Sequence, residues 1–163
     1  MKKILFMLCL SALITGCTKS SEQKATLLLS NTELKHNSVV KLDSVIEYPE
    51  AFDKTLKAIE LENNALEKVA KFVAYGNKLS ESERKTDEFQ NRVKLIQEEA
   101  ISLINSAKSY KEDAAMIGLK NSVKRINKNF LGWKYTSKND SCIYVVYFDK
   151  KVATILGIDK TEL

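Results

Sequence analysis

Between residues 52 and 73 the apolar side chains recur in steps of four and three: Phe52, Leu56, Ile59, Leu66, Ala70 and Val73, with Asn63 standing at one place in the series. That spacing predicts a heptad-like amphipathic helix. Pro49, the one proline of the chain, sits at its start, where a fixed φ costs nothing. Gly76, Asn77 and Ser80 interrupt the pattern, and Ser80-Glu81-Ser82-Glu83 has the order of a capping box that opens a second helix. The face of this second helix reads Phe89, Val93, Ile96, Ala100, Leu103, Ala107, Tyr110, Ala114 and Ile117, so the two are expected to pack as an antiparallel hairpin. The second pattern persists to Asn129, about 70 Å if unbroken against about 45 Å for the first. A kink or short break is therefore expected near 106–112, where Ser109-Tyr110-Lys111-Glu112 offers another capping box, with Gly118 a second weak point.

Elsewhere the period is two. Val40, Leu42, Ser44, Ile46 and Tyr48 alternate with Lys41, Asp43, Val45 and Glu47, predicting a strand over 38–48. After Phe130, the residues Leu131, Trp133 and Tyr135 share one face of a strand, and Ser137 to Ser141 are turn-like. Residues 142–148 are apolar on both faces, as a central strand requires, and Asp149-Lys150-Lys151 turns the chain into a third strand over 152–157. The predicted class is α+β: a long antiparallel helical hairpin, with a third helix if the second one breaks, and a small antiparallel sheet. One N-terminal strand and a C-terminal three-stranded meander make up that sheet, whose apolar face needs covering by the helices. Residues 20–24 read as a hydrophilic tether, and 25–29 fit either a brief helix or an extended segment.

The amino-terminal residues carry a different signal. Lys2 and Lys3 precede an apolar run over 4–14, which as a helix spans about 16 Å against a hydrocarbon core of roughly 30 Å. This is the layout of a cleaved leader rather than of a membrane span. Leu13-Ile14-Thr15-Gly16-Cys17, at its end, resembles the lipobox of bacterial lipoproteins. The resemblance implies cleavage between Gly16 and Cys17, and a diacylglyceryl group with palmitate-type chains on the Cys17 sulfur. It divides the chain into a leader (1–16), a lipidated tether (17–24) and one folded domain (25–163). Thr18 stands where enterobacterial inner-membrane lipoproteins carry an aspartate, and no acidic cluster follows Cys17. The expected place is the cell envelope, at the outer membrane facing the periplasm. Phe130-Leu131-Gly132-Trp133-Lys134 followed by Tyr147-Phe148-Asp149-Lys150 is also loosely similar to the C-termini of small envelope proteins of Bacteroidota, a likeness that assigns no activity.

Charge and chemistry narrow the function classes. Loss of 1–16 removes Lys2 and Lys3 and no acid, taking the formal charge from +5 to +3. Cys9 leaves with the leader and Cys17 takes lipid, so Cys142 has no partner within the chain; it is expected to be a small buried side chain, with an intermolecular disulfide as the sharper alternative. His36, the single histidine, lies in a polar loop and reads as a surface residue, so neither a metal centre nor a histidine-based catalytic site is expected. The glycines are dispersed, with no phosphate-cradling loop. Glu60 and Glu67, or Glu98 and Glu99, are the available carboxylate clusters, and on amphipathic helices they read as a solvated face. No catalytic residue and no cofactor is expected. Between Asp113 and Asp140 there is no acid, while Lys120, Lys124, Arg125, Lys128, Lys134 and Lys138 supply six positive charges suited to an anionic surface. Without a stacking platform, nucleic acid is not an expected partner. What remains is a membrane-anchored, non-catalytic interaction module with an envelope protein as partner, or alternatively a binder of lipid headgroups or small ligands.

Overall fold

The computed structural model describes residues 19–36, 40–123 and 128–163. In chain order it holds helix α1 (Ser21–Leu29), strand β1 (Asp43–Glu47), helix α2 (Pro49–Gly76), the single-turn α3 (Glu81–Arg84), helix α4 (Asp87–Val123), and strands β2 (Asn129–Lys138), β3 (Cys142–Phe148) and β4 (Ile155–Glu162). The four strands form one antiparallel sheet in the order β1-β2-β3-β4, so the α+β class, the hairpin and the C-terminal meander all stand as the residue pattern predicts.

The doubly apolar 142–148 run is indeed the inner strand β3, and its two faces meet different layers. Cys142, Tyr144, Val146 and Phe148 point to one side, where they join Tyr135, Val40, Leu42 and Val152 with Ala25 and Leu29 of α1 in the main core. Tyr147 points to the other side and meets Phe52 of α2 edge-on, ring centroids 5.8 Å apart. The sheet is thus sandwiched between α1 with its following turns and the base of the hairpin.

Helix α1 settles the open reading of 25–29 and corrects that of 20–24. Ser20 accepts the Gln23 N–H while the Gln23 side chain accepts the Ser20 N–H, a capping box that turns the expected tether into the first turn of a helix. Burial of Ala25 and Leu29 then fixes this short helix against the sheet.

Four further expectations are corrected. The paired part of the first strand is Asp43–Glu47, shorter than 38–48, and residues 37–39 lie outside the described residues. Within it Val45, opposite Gly132 on the hairpin side, is buried, whereas Ile46 is 50% exposed. The Ser80 capping box forms, yet its helix ends after one turn, and α4 restarts at Asp87 with the Thr86 hydroxyl accepting the Phe89 N–H. No break interrupts α4 at 106–112: its face against α2 runs on through Ala107, Tyr110 and Ala114, and that packing overrides the local capping signal. Finally, β4 begins at Ile155 rather than Val152. The Asp149 carboxylate accepts the N–H groups of Lys151, Ala153 and Thr154, which curls these residues into a turn and carries Val152, at φ 52°, into the core.

Candidate functional site

The apolar series Phe52, Leu56, Ile59, Asn63, Leu66, Ala70 and Val73 does not face α4. Its first half lies on the sheet: Phe52 reaches Tyr147 of β3, and a Cβ placed on Gly157 of β4 would lie 3.4 Å from both Leu56 and Ile59. Helix α2 therefore crosses from β3 to β4, and Asn63 marks where it leaves, donating its side-chain N–H to the Ile158 carbonyl at 3.3 Å. Beyond that bond the remaining turns to Gly76 project past β4 for about 20 Å.

What holds α2 to α4 is a different, smaller-featured seam. Ala51, Ala58, Ala65 and Phe72 recur seven residues apart; the alanines are buried, Phe72 stacks on Phe89 of α4 at 5.3 Å, and Gly76 leaves room for the Phe89 ring. Against it lies the α4 face that the periodicity identifies, with Ala100 and Ala107 buried. Alanines on both sides let the helix axes approach closely. Lys54 with Asp113, Lys68 with Glu99, and Lys111 with Glu62 tie the exposed rims of the hairpin.

Two helices alone bury one face each, so the projecting end keeps an apolar ledge. Leu66 is 61% exposed and Val73 53%, with Val69 beside them and Ile101 and Ile104 alongside on α4. Single exposed apolar residues are ordinary, but a contiguous group on two adjacent helices is the pattern of a contact surface.

Below the ledge runs the outer side of β4, which pairs with no other described strand. A cleft of about 390 Å³ is bounded by Glu62, Leu66, Ile104, Lys111 and residues 158–162. A second, of about 400 Å³, shares Asn63, Leu66, Ile158 and Lys160 with it and extends to Glu33 on the opposite face of the sheet. Together they form one groove that follows the strand edge. Lys111 sits 2.8 Å from Glu62 and 4.0 Å from Asp159. Lys160 lies over the Tyr144 ring, and the Tyr144 hydroxyl donates to Glu33 at 3.3 Å. Desolvation, reinforced by the Glu33 carboxylate, pushes the Tyr144 phenol above its ordinary value, so it stays a neutral donor at physiological pH.

The residues singled out from sequence fall elsewhere. Cys142 is a free thiol buried in the core. His36 is exposed, and among the described residues no group of three or more His, Cys, Asp or Glu is placed to hold a metal. Of the basic run, Lys120 is exposed near the end of α4, and Lys128 lies over the Tyr48 ring at 5.8 Å. Lys134 is half-buried within β2 and Lys138 ends that strand. Lys128 directly precedes this ten-residue strand and Lys138 is its last residue, so the two stand about 33 Å apart along it and the described part of the run is spread out rather than gathered into one patch. Lys124 and Arg125, like Leu13, Gly16 and Cys17 of the lipobox-like stretch, lie outside the described residues. No described helix is long and apolar enough to cross a membrane. Comparison with protein-family models, curated proteins and solved structures gave no match.

Sequence reasoning missed both the alanine seam and the groove. The seven-residue alanine spacing was the available signal for the seam, masked by larger side chains on the neighbouring stripe. The groove brings together residues far apart in the chain, Glu33, Asn63, Lys111 and Lys160, through tertiary structure alone.

Proposed function

We propose that this protein is a non-catalytic interaction module of the bacterial cell envelope, tethered to a membrane by acyl chains on Cys17 and docking another envelope protein with the projecting end of its helical hairpin. The observation that carries the docking half is the ledge of Leu66, Val69, Val73, Ile101 and Ile104, left in solvent by a hairpin that outruns its sheet. The anchoring half rests on the lipobox-like Leu13-Ile14-Thr15-Gly16-Cys17 behind a basic start and a short apolar run. Two or more acyl chains on one residue make a durable anchor where one holds only marginally.

Both halves are tested in intact cells. A photoreactive residue in place of Val73 is expected to yield a discrete crosslinked product, and one in place of Lys71, exposed but off the ledge, to yield none. Equal products from both positions, or none from either, would remove the docking reading. Metabolic palmitate labelling that persists in Cys17→Ala would remove the anchor.

A further inference from the structure

We infer that the groove along β4 accepts an extended segment of a partner protein, with alternating apolar and basic side chains, as a fifth strand of the sheet. This rests on the interaction-module reading and names the kind of partner it docks.

The floor of the groove is backbone. Leu163 donates its N–H to the Ser141 carbonyl, and Thr161 pairs with Ile143, so in the alternating antiparallel ladder Ile158, Lys160 and Glu162 turn their N–H and C=O groups away from β3. The bond from Asn63 to the Ile158 carbonyl fits this direction, and a carbonyl oxygen keeps a second lone pair for an incoming donor. An eight-residue edge strand with outward-facing groups is a template for strand addition.

The walls choose side chains. A strand added at the usual spacing of about 4.8 Å lies under the part of α2 that projects past β4. Every second side chain of such a strand would point up at Leu66, Val73 and Ile104, which favours apolar residues there. The alternate side chains would point toward Glu33. On the Glu33 side the groove carries Glu33 and Glu162, which lies opposite Cys142, against Lys160, while Glu62, Asp159 and Lys111 lie on the hairpin side; the Glu33 side is thus acidic in a chain whose formal net charge is +5. Lys111 is already engaged by Glu62 and Asp159. Basic side chains at those alternate positions complement the surplus.

A second copy fits less well. Antiparallel pairing of two β4 edges about Asp159 or Lys160 sets like charges face to face. It also puts both projecting hairpins in one layer, each over a sheet that already carries its own α2.

The test uses the full-length protein held in phosphatidylcholine nanodiscs and a labelled probe, acetyl-Val-Lys-Val-Lys-Val-Lys-Val-amide, with the glutamate counterpart as control. The lysine probe is expected to bind and to slow hydrogen exchange at the Ile158, Lys160 and Glu162 amides. Affinity is expected to fall at least about tenfold for Leu66→Glu, a surface change that leaves the core untouched, and for Lys160→Pro, which deletes an outward N–H. Absence of lysine-probe binding, equal binding of the glutamate probe, or binding that leaves the β4 amides unchanged would overturn the inference. So would a homodimer that Lys160→Pro abolishes, or insertion of the ledge into the lipid bilayer that Leu66→Glu abolishes. If the Val73 crosslink persists while the probe does not bind, strand addition fails and the interaction module stands.

Discussion

Asn63 of α2 donates to the backbone carbonyl of Ile158 in β4, so the one polar residue in an otherwise apolar stripe is also the last point at which that stripe holds the sheet. On the sheet side of this bond the stripe is core; on the far side it is surface. Because the bond is long and exposed, Asn63→Ala is expected to cost about 0.5–1.5 kcal/mol in urea unfolding and to quicken hydrogen exchange in β4 more than in β3. A loss spread evenly over both strands would contradict this role.

Gly132 and Gly118 make opposite predictions. A Cβ at Gly132 would sit 2.2 Å from the Phe148 carbonyl oxygen, a clash with backbone that no side-chain rotation relieves. Gly132→Ala is expected to destabilise by at least about 2 kcal/mol. Nothing lies within 4 Å of a Cβ at Gly118 in α4, so Gly118→Ala is expected to stabilise by about 0.5–1 kcal/mol through helix propensity alone. Thermal unfolding of the two variants side by side checks both signs.

The Asp149 turn carries a pH dependence. Partial desolvation pushes its carboxyl up, but the N–H groups of Thr154, Ala153 and Lys151 together outweigh this and hold it below the ordinary 3.8. A depressed folded-state value stabilises fully above the unfolded value and is lost as pH falls through the folded one. The stability gap between the native protein and Asp149→Asn is therefore expected to be constant from neutral pH down to about pH 5 and to close below about pH 4. A gap that widens in acid would contradict the assignment.

The two faces of β3 are expected to differ in tolerance. Val146 is fully buried against α1, while Val145 on the hairpin side is half-buried. Val146→Asp is expected to prevent folding by burying an unpaired charge, and Val145→Asp to leave a folded protein with a lowered melting temperature. Circular dichroism and thermal melts of the pair decide it.

Large, regularly spaced side chains made much of this architecture legible before any coordinates. The α4 face from Phe89 to Ile117 and the doubly apolar β3 are where the periodicity places them. Legibility failed where a small or local feature competed with a larger one. Ala51, Ala58 and Ala65 give a weak hydrophobic signal beside Phe52, Ile59 and Leu66, so the helix seam was hidden behind the stripe that meets the sheet. The Asp149 carboxylate overrode the β propensity of Val152. A linear run of lysines says nothing of three-dimensional proximity, and the strand β2 separates what the chain places close together. The acidic groove depends on side chains from the turn after α1, from both long helices and from β4, and no window of sequence contains it.

Hydrogen exchange of the full-length protein in native envelope membranes, compared with the same protein purified in nanodiscs, tests the central claim most directly. The ledge turns of α2 from Leu66 to Gly76 and the outward amides of β4 are expected to exchange more slowly in the envelope, with the core amides of β3 unchanged. Identical exchange at the ledge and at β4 in both settings would contradict the account.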